Sequence, residues 1–345
     1  MAPIMIDARD AQAAQLRGWG RYTRHLVAAL AAGTAGELDV VAVRRGGPGP
    51  EIVFEQLGLP VLLRRRRAAL VHAPNCFLPL IRPCPGVVTI HDLAFEAWPE
   101  DFAPRTRVKF QVITRLAARS AQRIICPSQA TAEDLAARYG IDRAKVRVIP
   151  GAASLAHVGA GPGAPDFPGA GDPYVIAVGD LRRKKNLAAL VSAFVAARRA
   201  DGLPHRLVLA GVDSGEGERL RALAADAPVL LTGYVDDARL DTLIAGADLL
   251  VHPSLYEGFG LVLLEAMARS TPVLAARATA LPETAGAAAA YFEPDDPADL
   301  ARQLQRLLGD PARRSELAVA GLARAAQFSW ERTARATADV YRELL

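Results

Sequence analysis

Residues 252–273, HPSLYEGFGLVLLEAMARSTPV, carry the densest chemical pattern in this 345-residue chain. Leu249–Val251, just before them, is an apolar run of the kind that forms a buried strand in a parallel sheet. The Gly258-Phe259-Gly260 turn follows, and its small residues let backbone N–H groups approach a ligand closely. Leu261, Leu264, Glu265 and Ala268 then recur at helical spacing, which puts Glu265 on a helix while Glu257 stays near the strand end. With seven residues between them and a 1.5 Å rise per residue, the two carboxylates are expected roughly 10 Å apart. That is about the span from a sugar ring, across a diphosphate, to a ribose. One carboxylate would accept sugar hydroxyls, the other a ribose diol, and the helix start would face the anion between them.

Outward from this stretch, strand-like and helical runs alternate. Ile4–Ile6, Val40–Val43, Leu70–His72 and Val87–Ile90 are apolar strands; Val108–Ala118 is helical; Ile124–Cys126, a helix over Thr131–Arg138 and Val146–Ile149 follow. A second series runs through Tyr174–Val178, Leu207–Ala210, Val229–Leu231 and Leu249–Val251. Such alternation predicts βαβ units and parallel sheets. Between the two series, Gly159–Pro173 holds five glycines and four prolines without periodicity, the composition of an interdomain linker. The expected class is therefore α/β with two Rossmann-like domains, and 345 residues suit two cores better than one.

Composition narrows the function classes. Hydrophobic residues make up 51% of the chain and mean hydropathy is +0.14, which fits a packed globule and excludes general disorder. No apolar run reaches the roughly 18 residues of a membrane span, and without a charged n-region or cleavage site before the first strand no leader is expected. Three cysteines without a CxxC pair fit a reduced, cytoplasmic protein. Only four of 41 cations are lysines, a bias attributed to a GC-rich genome rather than to nucleic-acid binding. Residues 1–165 carry 21 basic and 13 acidic side chains (net +8); the remainder carries 20 and 24 (net −4). The basic half fits an anionic or lipid-linked acceptor, or peripheral contact with the inner face of a membrane, and the Arg64–Arg67 run is its sharpest cluster. Ordinary solvated arginines would give the same count.

The Glu257–Glu265 segment resembles the Glu-x7-Glu signature of the retaining glycosyltransferases of family 4. Gly18-Trp19-Gly20-Arg21-Tyr22, His91-Asp92-Leu93, Val178-Gly179 to Asn186, and Phe328-Ser329-Trp330 recur in that order in such enzymes, so the resemblance covers essentially the whole chain. It is strongest to mannosyl- and rhamnosyltransferase-like members. It implies the GT-B fold, two Rossmann-like domains facing across a cleft. An acceptor-binding domain would span 1–165 and a nucleotide-sugar-binding domain 166–327. A C-terminal helix, 328–345, would cross back to the first domain.

The resemblance also implies roles. The donor would be held by Gly18, Gly20, Gly179, Arg183, Lys184, Lys185, Glu257, Gly258, Phe259, Gly260, Leu261 and Glu265. Lys185, with Arg183 or Lys184, would neutralise the leaving diphosphate; Glu257 would hold the sugar and Glu265 the ribose. His91, at the carboxyl end of a strand, would orient the transferred sugar, so His91, Glu257 and Lys185 form the expected catalytic set. Asp92, Trp19 and Arg21 are candidates on the acceptor side. Many relatives have an arginine directly after the glycine at 179, where this chain has Asp180, so the phosphate contact is expected to fall on the basic run. Asn186 could cap the helix whose apolar stripe is Leu187, Leu190, Val191, Phe194 and Val195.

The expected reaction moves a hexose from a nucleotide diphosphate sugar to an acceptor hydroxyl, in polysaccharide or glycoconjugate synthesis. GDP-mannose is the first-choice donor, with UDP- and dTDP-sugars open. No metal and no cofactor are expected, because GT-B enzymes offset leaving-group charge with cations and helix dipoles, and no histidine here has metal-ligand spacing. NAD binding fits poorly: the Gly18-x-Gly20 pattern has Thr23 at the sixth position and a long preceding loop. Two other readings are a nucleotide-sugar epimerase on the same fold, which needs further acid/base carboxylates, and a non-catalytic nucleotide-sugar-binding module.

Overall fold

A computed structural model describes residues 2–13, 16, 18–34, 36–46, 50–155 and 171–345. Its contacts divide the chain into two compact units, Met1–Ser154 with Phe328–Leu345, and Leu155–Gln327. Most of the expected linker, 159–170, and the expected boundary at 165/166 lie outside the described residues.

The first unit is built on a six-stranded, all-parallel sheet of order β2-β1-β3-β4-β5-β6, with β1 Ile4–Asp7, β2 Val40–Val43, β3 Leu70–Ala73, β4 Gly86–Thr89, β5 Arg123–Cys126 and β6 Val146–Val148. Alternate strand residues serve the two faces. Met5, Val71, Val88 and Ile124 pack toward Leu59, Leu63, Ala117 and Leu135, whereas Ile4, Ile6, Leu70 and Val87 pack toward Leu26 and Leu30 of the helix Gly18–Gly33. The last helix, Trp330–Arg342, joins this second face through Ala334, Ala338 and Tyr341. Ser329 caps it by accepting the Arg332 N–H at 3.3 Å. Trp330 Nε1 donates to the Ala153 carbonyl at 3.0 Å, and the Tyr341 hydroxyl meets His72 Nδ1 at 2.7 Å inside the core. Burial pushes the His72 imidazole down to about 3, so it serves there as a neutral partner, its Nε2 2.8 Å from Thr89 Oγ1.

The second unit repeats the plan. Its parallel sheet has the order β12-β11-β10-β7-β8-β9, with β7 Tyr174–Val178, β8 Arg206–Ala210, β9 Val229–Gly233, β10 Leu249–His252, β11 Val273–Ala276 and β12 Ala290–Phe292. The chain winds outward from β7 to β9, then returns to lay β10 on the other side of β7. The carboxyl ends of β7 and β10 thus flank a topological switch point, where ligands bind in open α/β sheets. In the first sheet the same reversal falls between β1 and β3.

Gly18-Trp19-Gly20 forms the first turn of the helix Gly18–Gly33. Gly20 is needed there for packing, since a Cβ would come within 2.6 Å of the Asp10 carbonyl oxygen. Asn186 precedes the helix Leu187–Asp201 in a left-handed conformation (φ 52°) and its side chain makes no capping hydrogen bond. The stripe Leu187, Leu190, Val191, Phe194 and Val195 is buried as its spacing predicts.

Candidate active site

In the second unit the site begins where β7 ends. Gly179 adopts φ 141°, a region that favours glycine, and a Cβ on it would sit 3.1 Å from Lys185 Cε. The bare backbone therefore lets the lysine stem lie across the strand end. The basic run coils into a short 3₁₀ turn, Arg183–Lys185, tied to the loop after β10: the Lys184 carbonyl accepts the Leu255 N–H at 2.8 Å and the Ser254 hydroxyl at 3.2 Å.

This turn separates the three cations. Arg183 points outward, its Nε 3.5 Å from Glu216. Lys184 is buried, donates to the Tyr256 carbonyl at 3.4 Å and lies 6.0 Å from that ring's centre. Lys185 meets Glu257 directly, Nζ to Oε1, with both side chains about 15% exposed (16% and 13%). Glu257 Oε1 also lies 3.3 Å from His252 Nε2. Burial alone would raise the Glu257 carboxyl, but Lys185 foremost, then Lys184 and the His252 hydrogen bond, hold it well below the ordinary carboxylate range. Burial pushes His252 down, against the pull of Glu257, so the imidazole is neutral at pH 7 with its proton on Nε2 toward the carboxylate. The backbone of Glu257 is fixed as well: its N–H donates to Thr279 Oγ1 at 2.9 Å, and that hydroxyl donates to the Glu257 carbonyl at 3.0 Å.

Beyond Glu257, Gly258 and Phe259 are buried, and the Phe259 carbonyl accepts the Thr284 hydroxyl at 2.5 Å. Gly260 takes φ 92° with a Cβ position 2.8 Å from Leu281 Cδ2, so both conformation and space require glycine. Leu261 opens the helix Leu261–Met267, which carries Glu265 at 1% exposure. The Glu265 carbonyl accepts Arg269 Nη1 at 2.7 Å. Asp180 lies 3.8 Å from Arg182.

In the first unit, His91 follows β4. Its Nε2 donates to the Pro74 carbonyl at 2.8 Å, leaving Nδ1 as the acceptor of the neutral ring. Trp19 stacks on it (6.2 Å, 16°) and Tyr22 meets it edge-on (4.7 Å, 81°), and burial pushes its pKa down. Asp92 accepts the Ala94 N–H at 2.9 Å. Trp19 and half-buried Arg21 share the first turns of the helix with Gly20, while Gly18 is exposed. Among the described residues, no three His, Cys, Asp or Glu side chains are grouped as metal ligands.

The fold thus joins Gly179, Lys185 and Glu257 around one point, and Trp19 with His91 around another, while Lys184 and Arg183 diverge from Lys185. Sequence reasoning gave His252 no role, although its place at a strand end five residues before Glu257 was a usable signal. Thr279 had none, being 22 residues from its partner.

The family described as Glycosyltransferase Family 4 matches residues 16–157, and that described as Glycosyl transferases group 1 matches residues 172–310. The chain is similar to the O-antigen chain mannosyltransferase B of Escherichia coli, 28% identical over 292 residues that cover 82% of this chain and 76% of the relative. It is also similar to the serotype-specific mannosyltransferase WbdA of Escherichia coli, 33% identical over 180 residues, 50% of this chain but only 22% of that protein's length. Among solved structures, a sucrose-phosphate synthase from Thermosynechococcus elongatus superposes with a TM-score of 0.79 at 25% identity, covering 100% of this chain and 99% of that one. Matched in sequence order through both units and sharing the GT-B architecture, the chain belongs to the family 4 glycosyltransferases.

Proposed function

We propose that the protein is a retaining, metal-independent hexosyltransferase that moves mannose from GDP-mannose to an acceptor hydroxyl. The observation that carries this reading is the Lys185–Glu257–His252 constellation at the carboxyl ends of β7 and β10. A carboxylate held ionised and aimed by a neutral histidine and a threonine-pinned backbone is a strong acceptor for sugar hydroxyls. The adjacent ammonium is suited to the negative charge that develops on a departing diphosphate. In this reaction the bond from C1 to the diphosphate oxygen breaks and a bond from C1 to the acceptor oxygen forms on the same face of the sugar. The acceptor's proton passes to the leaving phosphate. Glu265 is assigned to the ribose, Arg183 to the outer phosphate, and His91 to orientation of the sugar. The choice of mannose is supported by mannosyltransferases among the similar proteins.

Peripheral contact with an anionic membrane belongs to the same proposal. No helix among the described residues is long and apolar enough to cross a membrane. In the first unit, however, Val53, Leu57 and Val61 are exposed at intervals of four residues, leading into the exposed Arg64–Arg67. Apolar insertion beside a cationic cluster is the pattern of an interfacial segment.

The test is a mass-spectrometric screen of GDP-mannose, UDP-glucose and dTDP-rhamnose for slow hydrolysis, which needs no acceptor. GDP and α-mannose are the expected products, and both should be lost in Glu257→Gln. Release from another donor alone would overturn the mannose assignment, and a β-anomer would overturn retention.

A further inference from the structure

At the switch point of the first sheet lies a second polar site that the donor chemistry does not use. β1 ends in Asp7, which is 1% exposed, and Arg9 folds back on it with Nε at 2.8 Å from Oδ1 and Nη2 at 2.7 Å from Oδ2. The same Nη2 reaches Glu55 Oε1 at 3.1 Å, and the guanidinium lies over the Phe54 ring at 4.9 Å. Phe54 can lie there because residue 58 is glycine, whose Cβ position is only 2.7 Å from the ring. Phe54–Gly58 form one π-helical turn, a rare element that recurs at functional sites.

Beside this lock is a cavity of about 250 Å³ lined by Arg9, Asp10, Gln12, Ala13, Glu51 and Glu55. Its volume equals roughly eight waters at ~30 Å³ each, room for a single sugar ring. Among the described residues the wall carries three carboxylates and one cation, and that cation is already shared between Asp7 and Glu55. Asp10 accepts the Asn75 amide at 2.7 Å. Glu55 is 3% exposed, and its second oxygen, Oε2, is buried and accepts no hydrogen bond. Burial pushes both carboxyls up, against Asn75 on Asp10 and Arg9 on Glu55. A buried carboxylate oxygen without a donor is destabilising, a cost that a bound donor group would remove.

We propose that this cavity is a subsite for a neutral, polyhydroxylated acceptor, with one sugar hydroxyl donating to Glu55 Oε2 and a second to Asp10. It rests on the glycosyl-transfer reading above and adds the acceptor's class. An acceptor bearing phosphate or carboxylate at this position would meet three carboxylates and a committed arginine, so the site selects against it.

Saturation-transfer NMR on the intact protein, with methyl α-mannoside as the probe, tests binding without turnover. Signal is expected with the wild type, undiminished by excess mannose 6-phosphate, and lost in Glu55→Gln. In transfer assays the KM for methyl α-mannoside should rise about tenfold or more in Glu55→Gln, as expected for a site built around a substrate hydroxyl. Affinity for GDP should stay the same. Glu51→Gln, at an exposed position on the rim, should fold normally and shift KM in the same direction by about twofold. An unchanged signal and KM in Glu55→Gln, or displacement of the probe by mannose 6-phosphate, would overturn the proposal. Absence of donor hydrolysis with binding intact would sink the transferase reading alone.

Discussion

Replacing Lys185 with alanine probes the proposed donor site most directly, because it removes the main cation facing Glu257. Breaking a buried ion pair by deleting one partner typically costs ~3–5 kcal/mol. Here His252 and Lys184 still face the carboxylate, so the expected loss is about 2–3 kcal/mol at pH 7. For a unit of this size that lowers its Tm by roughly 5–10 °C. The pH dependence gives a second, independent readout. Glu257 has a folded-state pKa below its unfolded value, so its contribution is present above the unfolded pKa of about 4.3 and is lost as pH falls through the folded value. The gap between wild type and Lys185→Ala should therefore be widest near neutrality and close as the pH is lowered below 4.3. Turnover should fall by about two or more powers of ten, at 1.4 kcal/mol per tenfold, because the departing diphosphate loses its nearest cation. Calorimetry at pH 7 and in acid, with hydrolysis rates on the preferred donor, makes the comparison. A variant with near-normal turnover, or a stability gap independent of pH, would show that Lys185 and Glu257 do not act as a pair.

Two further outcomes are expected. Activity should persist in EDTA, since Lys185 and Arg183 would offset the leaving charge; complete loss restored by Mg²⁺ or Mn²⁺ would overturn the phosphate site. Leu57→Glu should weaken sedimentation with vesicles containing anionic phosphatidylglycerol while leaving hydrolysis of the donor in solution unaltered, and equal binding by variant and wild type would remove this face from any membrane contact.

Much of the architecture was legible because it is written in local periodicity. Apolar runs such as Tyr174–Val178 and Leu249–Val251 can only be satisfied by burial on both faces, which is the condition of a parallel strand. Gly18–Gly20 shows the limit of local propensity. Glycine disfavours helices by about 1 kcal/mol against alanine, yet close packing of Gly20 on the Asp10 carbonyl overrides that preference. Asn186 fails as a cap for a similar reason, since the tight Arg183–Lys185 turn forces its backbone into the left-handed region.

The sequence by itself determined the two α/β halves, the Glu257–Glu265 spacing and the glycine turn between them, because each depends on residues a few positions apart. Only the tertiary structure decided which of three adjacent cations meets Glu257. Lys185 finds Glu257 across 72 residues because the chain returns from β9 to lay β10 beside β7, while the pitch of a 3₁₀ turn sends Lys184 inward and Arg183 outward. In the same way Glu55 reaches Arg9 across 46 residues and Tyr341 reaches His72 across 269. Such pairings follow from the order in which strands bury their faces, and no local pattern encodes that order.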